Sequence, residues 1–135
     1  MKKIVLFVLL FITIIATAQK KYTSDMISYW EYDENINEWE EIDSQSAYVT
    51  ITFLPKKTSL IYLNATEEVI TKHRFIRNEI INGETNKVYN GMLNGSRIEL
   101  HVNSNGVMKI FKRTYMVMYH NLTRISDKNG LNHLN

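Results

Sequence analysis

Turn-forming residues recur along this chain at short intervals, and that spacing limits what it can fold into more than any other feature. Asn82-Gly83, Asn94-Gly95 and Asn105-Gly106 stand roughly ten residues apart, room for one strand and its turn. Asn-Gly is the favoured pair for a tight hairpin because both central residues need positive φ. Residues 87–93 and 97–102 therefore read as a hairpin around Asn94-Gly95, with Ile98, Leu100 and Val102 facing inward, and Asn105-Gly106 repeats the device to return residues 107–111. Residues 47–54 alternate cleanly: Val49, Ile51 and Phe53 share one face and Tyr48, Thr50 and Thr52 the other. Pro55 ends that run, since it cannot donate to a ladder, and residues 59–64 supply the partner strand. Residues 115–121 are apolar on both faces, Tyr115, Val117 and Tyr119 against Met116 and Met118, which predicts a buried central or closing strand.

Two stretches carry weaker patterns. Residues 26–32 read as a strand, 33–37 as a turn, and 38–42 as a short exposed return strand anchored by Trp39. Residues 66–81 fit a helix behind a Thr66 cap with Glu67 and Glu68, or one bent strand; the Val, Ile, Thr and Phe content favours the strand. The expected fold is all-β: a single antiparallel domain of seven or eight short strands, a meander barrel or a sandwich, with one helix inside 66–81 as the alternative. The up-and-down order loosely resembles small lipocalin-type barrels, although the chain has no motif of that family to quote.

The amino terminus follows a different logic. Met1-Lys2-Lys3 precedes an uncharged apolar run from Ile4 to Ile15, and Ala16-Thr17-Ala18 follows before Gln19. These are the three parts of an export signal in order, a helical segment removed between Ala18 and Gln19. The run is shorter than the roughly 20 apolar residues of a spanning helix. Lys20 and Lys21 weaken the charge asymmetry that orients such a segment, so a tethered form is the alternative. The expected organisation is a signal peptide over 1–18, a β-rich domain over 19–125 and a polar, frayed tail over 126–135. The expected location is extracytoplasmic, secreted or periplasmic, with membrane contact only through the signal.

Charge and cysteine content narrow the function. Sixteen basic residues face fourteen acidic ones, and Lys2 and Lys3 leave with the signal, so the mature domain is balanced. A neutral domain lacks the clustered Lys and Arg that draw nucleic acid. The chain has no cysteine, so it folds without disulfides and has no thiolate chemistry.

No motif dominates. Asp33, Asn35 and Asn37 copy the first three oxygen ligands of a calcium loop, but Glu38 stands where the loop needs glycine and Ser44 where it needs glutamate. A solvated hairpin tip explains the same residues. His73, His101, His120 and His133 are dispersed, and zinc would require the fold to gather the first three. The acidic run Glu38, Glu40, Glu41 and Asp43 reads as a charged outer face rather than a glycosidase pair. Neither a Gly-x-Ser-x-Gly elbow nor a phosphate loop is present. Asn64, Asn94 and Asn121 match the glycosylation acceptor pattern.

Aromatic richness remains. Tyr and Trp combine a broad apolar face with a polar tip, and Trp30, Tyr32, Trp39, Tyr48 and Tyr62 are the candidate ligand- or partner-binding residues. The leading expectation is an exported, non-enzymatic binding or envelope-associated domain whose partner is a protein, a glycan or a small apolar ligand, with no cofactor. A lipocalin-like carrier is the second reading and a small hydrolase the third. The carrier needs these rings to line an enclosed cavity; the interaction domain needs them on the surface.

Overall fold

The computed structural model describes residues 20–125, which contain nine strands and no helix. They are β1 (Lys20–Asp33), β2 (Glu38–Phe53), β3 (Thr58–Tyr62), β4 (Glu67–Ile81), β5 (Glu84–Leu93), β6 (Ser96–Asn103), β7 (Met108–Lys112), β8 (Tyr115–His120) and β9 (Thr123–Ile125). The proposed signal with its Ala18/Gln19 junction, and the tail 126–135 with His133, lie outside the described residues.

Each strand from β2 to β7 pairs antiparallel with the next, β8 pairs with β1, and β1 pairs with β2. The meander is thus a closed eight-stranded barrel and not a sandwich. Short β9 continues the line of β8 along the beginning of β1, with Lys21 opposite Ile125. Residues 67–81 form one bent strand, as their β-branched content favours. The two runs read separately at 38–42 and 47–54 are a single strand, β2, because two bulges absorb the break in alternation between them. Each bulge adds a residue on β2 opposite β1, which raises local twist and lets a long strand curl around the barrel.

The turns follow their residues. Asn82-Gly83 and Asn94-Gly95 have positive φ at both positions, the geometry of a two-residue primed turn. Asn105-Gly106 does not repeat it. There only Gly106 has positive φ, and the Asn103 N–H donates to Val107 O at 2.8 Å, so the connection is a longer loop ending on a glycine.

A barrel of eight strands has an interior just wide enough for side chains to fill. Ile27, Val49, Ile51, Leu60, Ile70, Ile98, Leu100, Met108, Ile110 and Tyr119 fill it, contributing about 1.5–3 kcal/mol each for the larger apolar groups. Ile98 and Leu100 face inward as expected, and Val102 is half-buried against the same core. The outer face of β8 is covered as well. Met116 is buried opposite Trp30, and Trp39 packs edge-on against Phe111 at 5.6 Å. Both apolar faces predicted for this strand are therefore used.

Candidate site at one barrel mouth

The shortness of β3 shapes both ends of the barrel. It spans five residues, pairing with 49–53 of β2 on one side and 67–70 of β4 on the other. Beyond those pairs β2 continues past one mouth and β4 past the other, and each mouth holds a cavity.

The mouth beside β4 is the better-formed of the two. Its cavity, about 370 Å³, lies between the start of β1, the end of β2 and the beginning of β5. Tyr22 and Phe53 meet edge to face at 5.6 Å on one wall. His73 stacks on Tyr89 at 4.4 Å on the other, and Phe75 meets Tyr89 edge-on at 5.6 Å. A bulge in β4 opposite Gly91 turns His73 toward this wall, and two contacts hold it there. Its N–H donates to Lys56 O at 3.0 Å, and its Nε2 lies 3.4 Å from the buried Thr58 hydroxyl.

Burial pushes the His73 imidazole below the usual histidine range and the Tyr89 phenol above the usual tyrosine range. Both rings are therefore neutral near pH 7. Among the described residues the formal charges in the lining come from Lys20 and Lys87, with no carboxylate. A neighbouring cavity shares Tyr22, Phe53 and Asn103 and adds Arg124. The adjacent Glu84 is occupied, accepting from the side-chain amides of Asn103 and Asn105 at 2.5 Å each. An apolar, aromatic cleft with a cationic rim suits a ligand that is apolar along most of its length and anionic at one end.

The aromatics singled out from the sequence do not converge there. Trp30 donates its indole N–H to Ser28 Oγ at 2.8 Å on the outer face. Tyr32 and Trp39 meet edge-on at 5.3 Å in the β1–β2 hairpin. Tyr48 is exposed at the opposite mouth, where it and Tyr62 line the cavity of that mouth. Tyr62 reaches inward to Glu68 Oε1 at 2.5 Å and the Tyr119 hydroxyl at 2.7 Å. The mouth residues Tyr22, Phe53, His73 and Tyr89 carried no shared signal in the sequence. They come from four separate stretches of chain, and only the bulged register of β4 brings His73 onto Tyr89.

The polar candidates are similarly accounted for. Asp33 Oδ1 accepts the Asn35 N–H at 2.9 Å, Asn37 Oδ1 accepts the Tyr32 hydroxyl at 3.4 Å, and Asn37 has positive φ: the contacts of a hairpin tip. His73, His101 and His120 occupy three different places, His101 against Glu99 and Phe111, His120 against Ser28. Among the described residues no group of three or more His, Asp or Glu is placed to hold a metal ion. No helix among them is long and apolar enough to cross a membrane.

Ser28 Oγ and His120 Nε2, 2.6 Å apart, are the closest approach to a nucleophile and its base. Ser28 is fully buried beneath Trp30 and lines none of the cavities described; the pair ties β1 to β8.

No protein-family profile, curated protein or solved structure matches the chain. The functional reading therefore rests on the geometry of the mouth.

Proposed function

We propose that this chain is an exported, non-enzymatic binding barrel that takes a small apolar ligand bearing one anionic group into the mouth formed by Tyr22, Phe53, His73 and Tyr89. The supporting observation is the pairing of aromatic walls with Lys20 and Lys87 around a cleft of about 370 Å³ that has no lining carboxylate among the described residues. That volume sits at the lower end of the range for small-molecule sites. Because side chains fill the middle of the barrel, the ligand is held at the rim, where its anionic end meets the lysines, and is not engulfed as in a lipocalin-like carrier. The amino-terminal signal pattern supports work outside the cytoplasm.

Anilinonaphthalene sulfonate, an anionic aromatic dye, is a direct probe. Saturable fluorescence enhancement is expected with the mature chain. Tyr89→Ala should weaken it about tenfold, as removal of one aromatic anchor does. Lys20→Glu combined with Lys87→Glu should weaken it several-fold and reverse its dependence on salt, because screening then relieves repulsion instead of weakening attraction. Unchanged affinity in both variants would place the dye elsewhere and end this reading. The amino-terminal residue of protein recovered from an exporting host should be Gln19.

A further inference from the structure

We propose that two copies of this chain associate through the free edge of β4, antiparallel about a two-fold axis at Asn78. β4 pairs with β5 from Thr71 to Ile81, but its contact with β3 stops at the pair Thr58–Ile70. The next backbone bond on that side, among the described residues, is His73 N–H to Lys56 O. Among the described residues, nothing pairs with this edge from residue 74 to 81. An open edge presents unpaired N–H and C=O groups that template another strand, and proteins usually guard it with charge, proline or brevity.

This edge is poorly guarded. Phe75, Ile76, Ile80 and Ile81 are 50%, 39%, 73% and 38% exposed within seven residues. The two charges between them have opposite sign and cancel: Arg77 and Glu79 pair with each other at 2.9 Å. The other open edge is different. Residues 38–48 of β2 carry Glu38, Glu40, Glu41 and Asp43, so pairing that edge with its own copy would set carboxylate beside carboxylate.

The β4 edge is complementary to itself. Outward from Asn78, Arg77 mirrors Glu79, Ile76 mirrors Ile80, and Phe75 mirrors Ile81. An antiparallel pair centred on Asn78 sets Arg77 opposite the partner's Glu79 twice and Ile76 opposite the partner's Ile80 twice, matches that each stabilise a cross-strand contact. The bulge that makes Ile76 the extra residue opposite β5 bends the strand, so the shared ladder runs from Ile76 to Ile80 in each copy. Such a contact is isologous and closes at two copies. Pairing of β4 with the acidic β2 edge would instead leave open edges and grow into filaments.

Sedimentation velocity on the mature chain, from micromolar to sub-millimolar concentration, should show a monomer–dimer equilibrium. Arg77→Glu or Glu79→Arg alone places like charges opposite each other twice and should raise the dissociation constant tenfold or more. The double exchange, Arg77→Glu with Glu79→Arg, should restore the dimer. Because the chain has no cysteine, Asn78→Cys offers a clean trap. Facing Cα atoms about 4.5–5.5 Å apart lie within disulfide reach. Oxidation should give a covalent dimer, while Asn35→Cys at the β1–β2 tip should not. A wild-type chain that stays monomeric, or a dimer indifferent to the single reversals and not trapped through Asn78→Cys, overturns the proposal; filaments would point to the β2 edge instead.

Discussion

Tyr62 has one hydroxyl proton and two polar partners. Glu68 Oε1, 2.5 Å away, can only accept when ionised, so Tyr62 donates to it and Tyr119 donates to Tyr62 across 2.7 Å. The order matters because Tyr119 is almost wholly buried. Replacing Tyr62 by phenylalanine leaves the Tyr119 hydroxyl in the core without an acceptor, which should cost about 1–3 kcal/mol in chemical denaturation. Replacing both tyrosines removes the orphan along with its cause. The double variant should therefore lose less stability than the two single variants summed, and strict additivity would show that the hydroxyls do not form one network. The sequence placed Tyr119 on a strand apolar on both faces but offered Tyr62 as a binding residue. A ring that spends its hydroxyl on a buried relay cannot be told from one that presents it to a ligand until its neighbours are known.

The strands show how one residue type can fix a connection or a packing distance. Gly91 has an ordinary negative φ, and its role is space. A Cβ there would lie 2.6 Å from Ile70 Cγ2 and 3.3 Å from Thr71 O, where β4 begins the bulge that carries His73 to the mouth. Ile70 is fully buried and its branched carbon cannot swing aside. Gly91→Ala should therefore lower stability by about 1–3 kcal/mol, the usual cost of overpacking. It should also weaken dye binding at the mouth by displacing His73; a variant as stable as the parent would mean that β4 slides freely at this point. Turn chemistry was legible at this scale where it is local, at Asn82-Gly83 and Asn94-Gly95. It misled at Asn105-Gly106, because Leu122 N–H donates to Gly106 O at 2.8 Å and draws that loop toward the β8–β9 connection.

For the whole molecule, the titrating groups bound a pH range of stability. Burial lowers the His73 pKa in the folded chain, so between that value and about 6.5 the unfolded chain binds a proton that the folded chain does not. Stability should fall as pH drops below about 6.5, and His73→Gln should flatten that slope. Burial raises Tyr62, Tyr119 and Tyr89, with the Tyr62–Tyr119 coupling and Glu68 adding to Tyr62. Those phenols stay protonated in the fold where an unfolded tyrosine would ionise, so stability should also fall above about pH 10. Melting temperature measured across pH should trace a plateau between these limits. A profile that rises on acidification would contradict the environment of His73.

The sequence by itself determined the class of fold, the number and order of strands to within one, the break at Pro55 and two of the hairpin turns. Each is set by residues adjacent in the chain: alternation by the two-residue repeat of a strand, turns by the backbone freedom of Asn and Gly. Only the tertiary structure decided that the sheet closes into a barrel, that β2 runs unbroken through its bulges, and that Tyr22, Phe53, His73 and Tyr89 meet at one mouth while Trp30, Trp39 and Tyr48 do not. Closure and register depend on contacts between strands far apart in sequence, and a single bulge moves a side chain from one face to the other. No local pattern records that displacement.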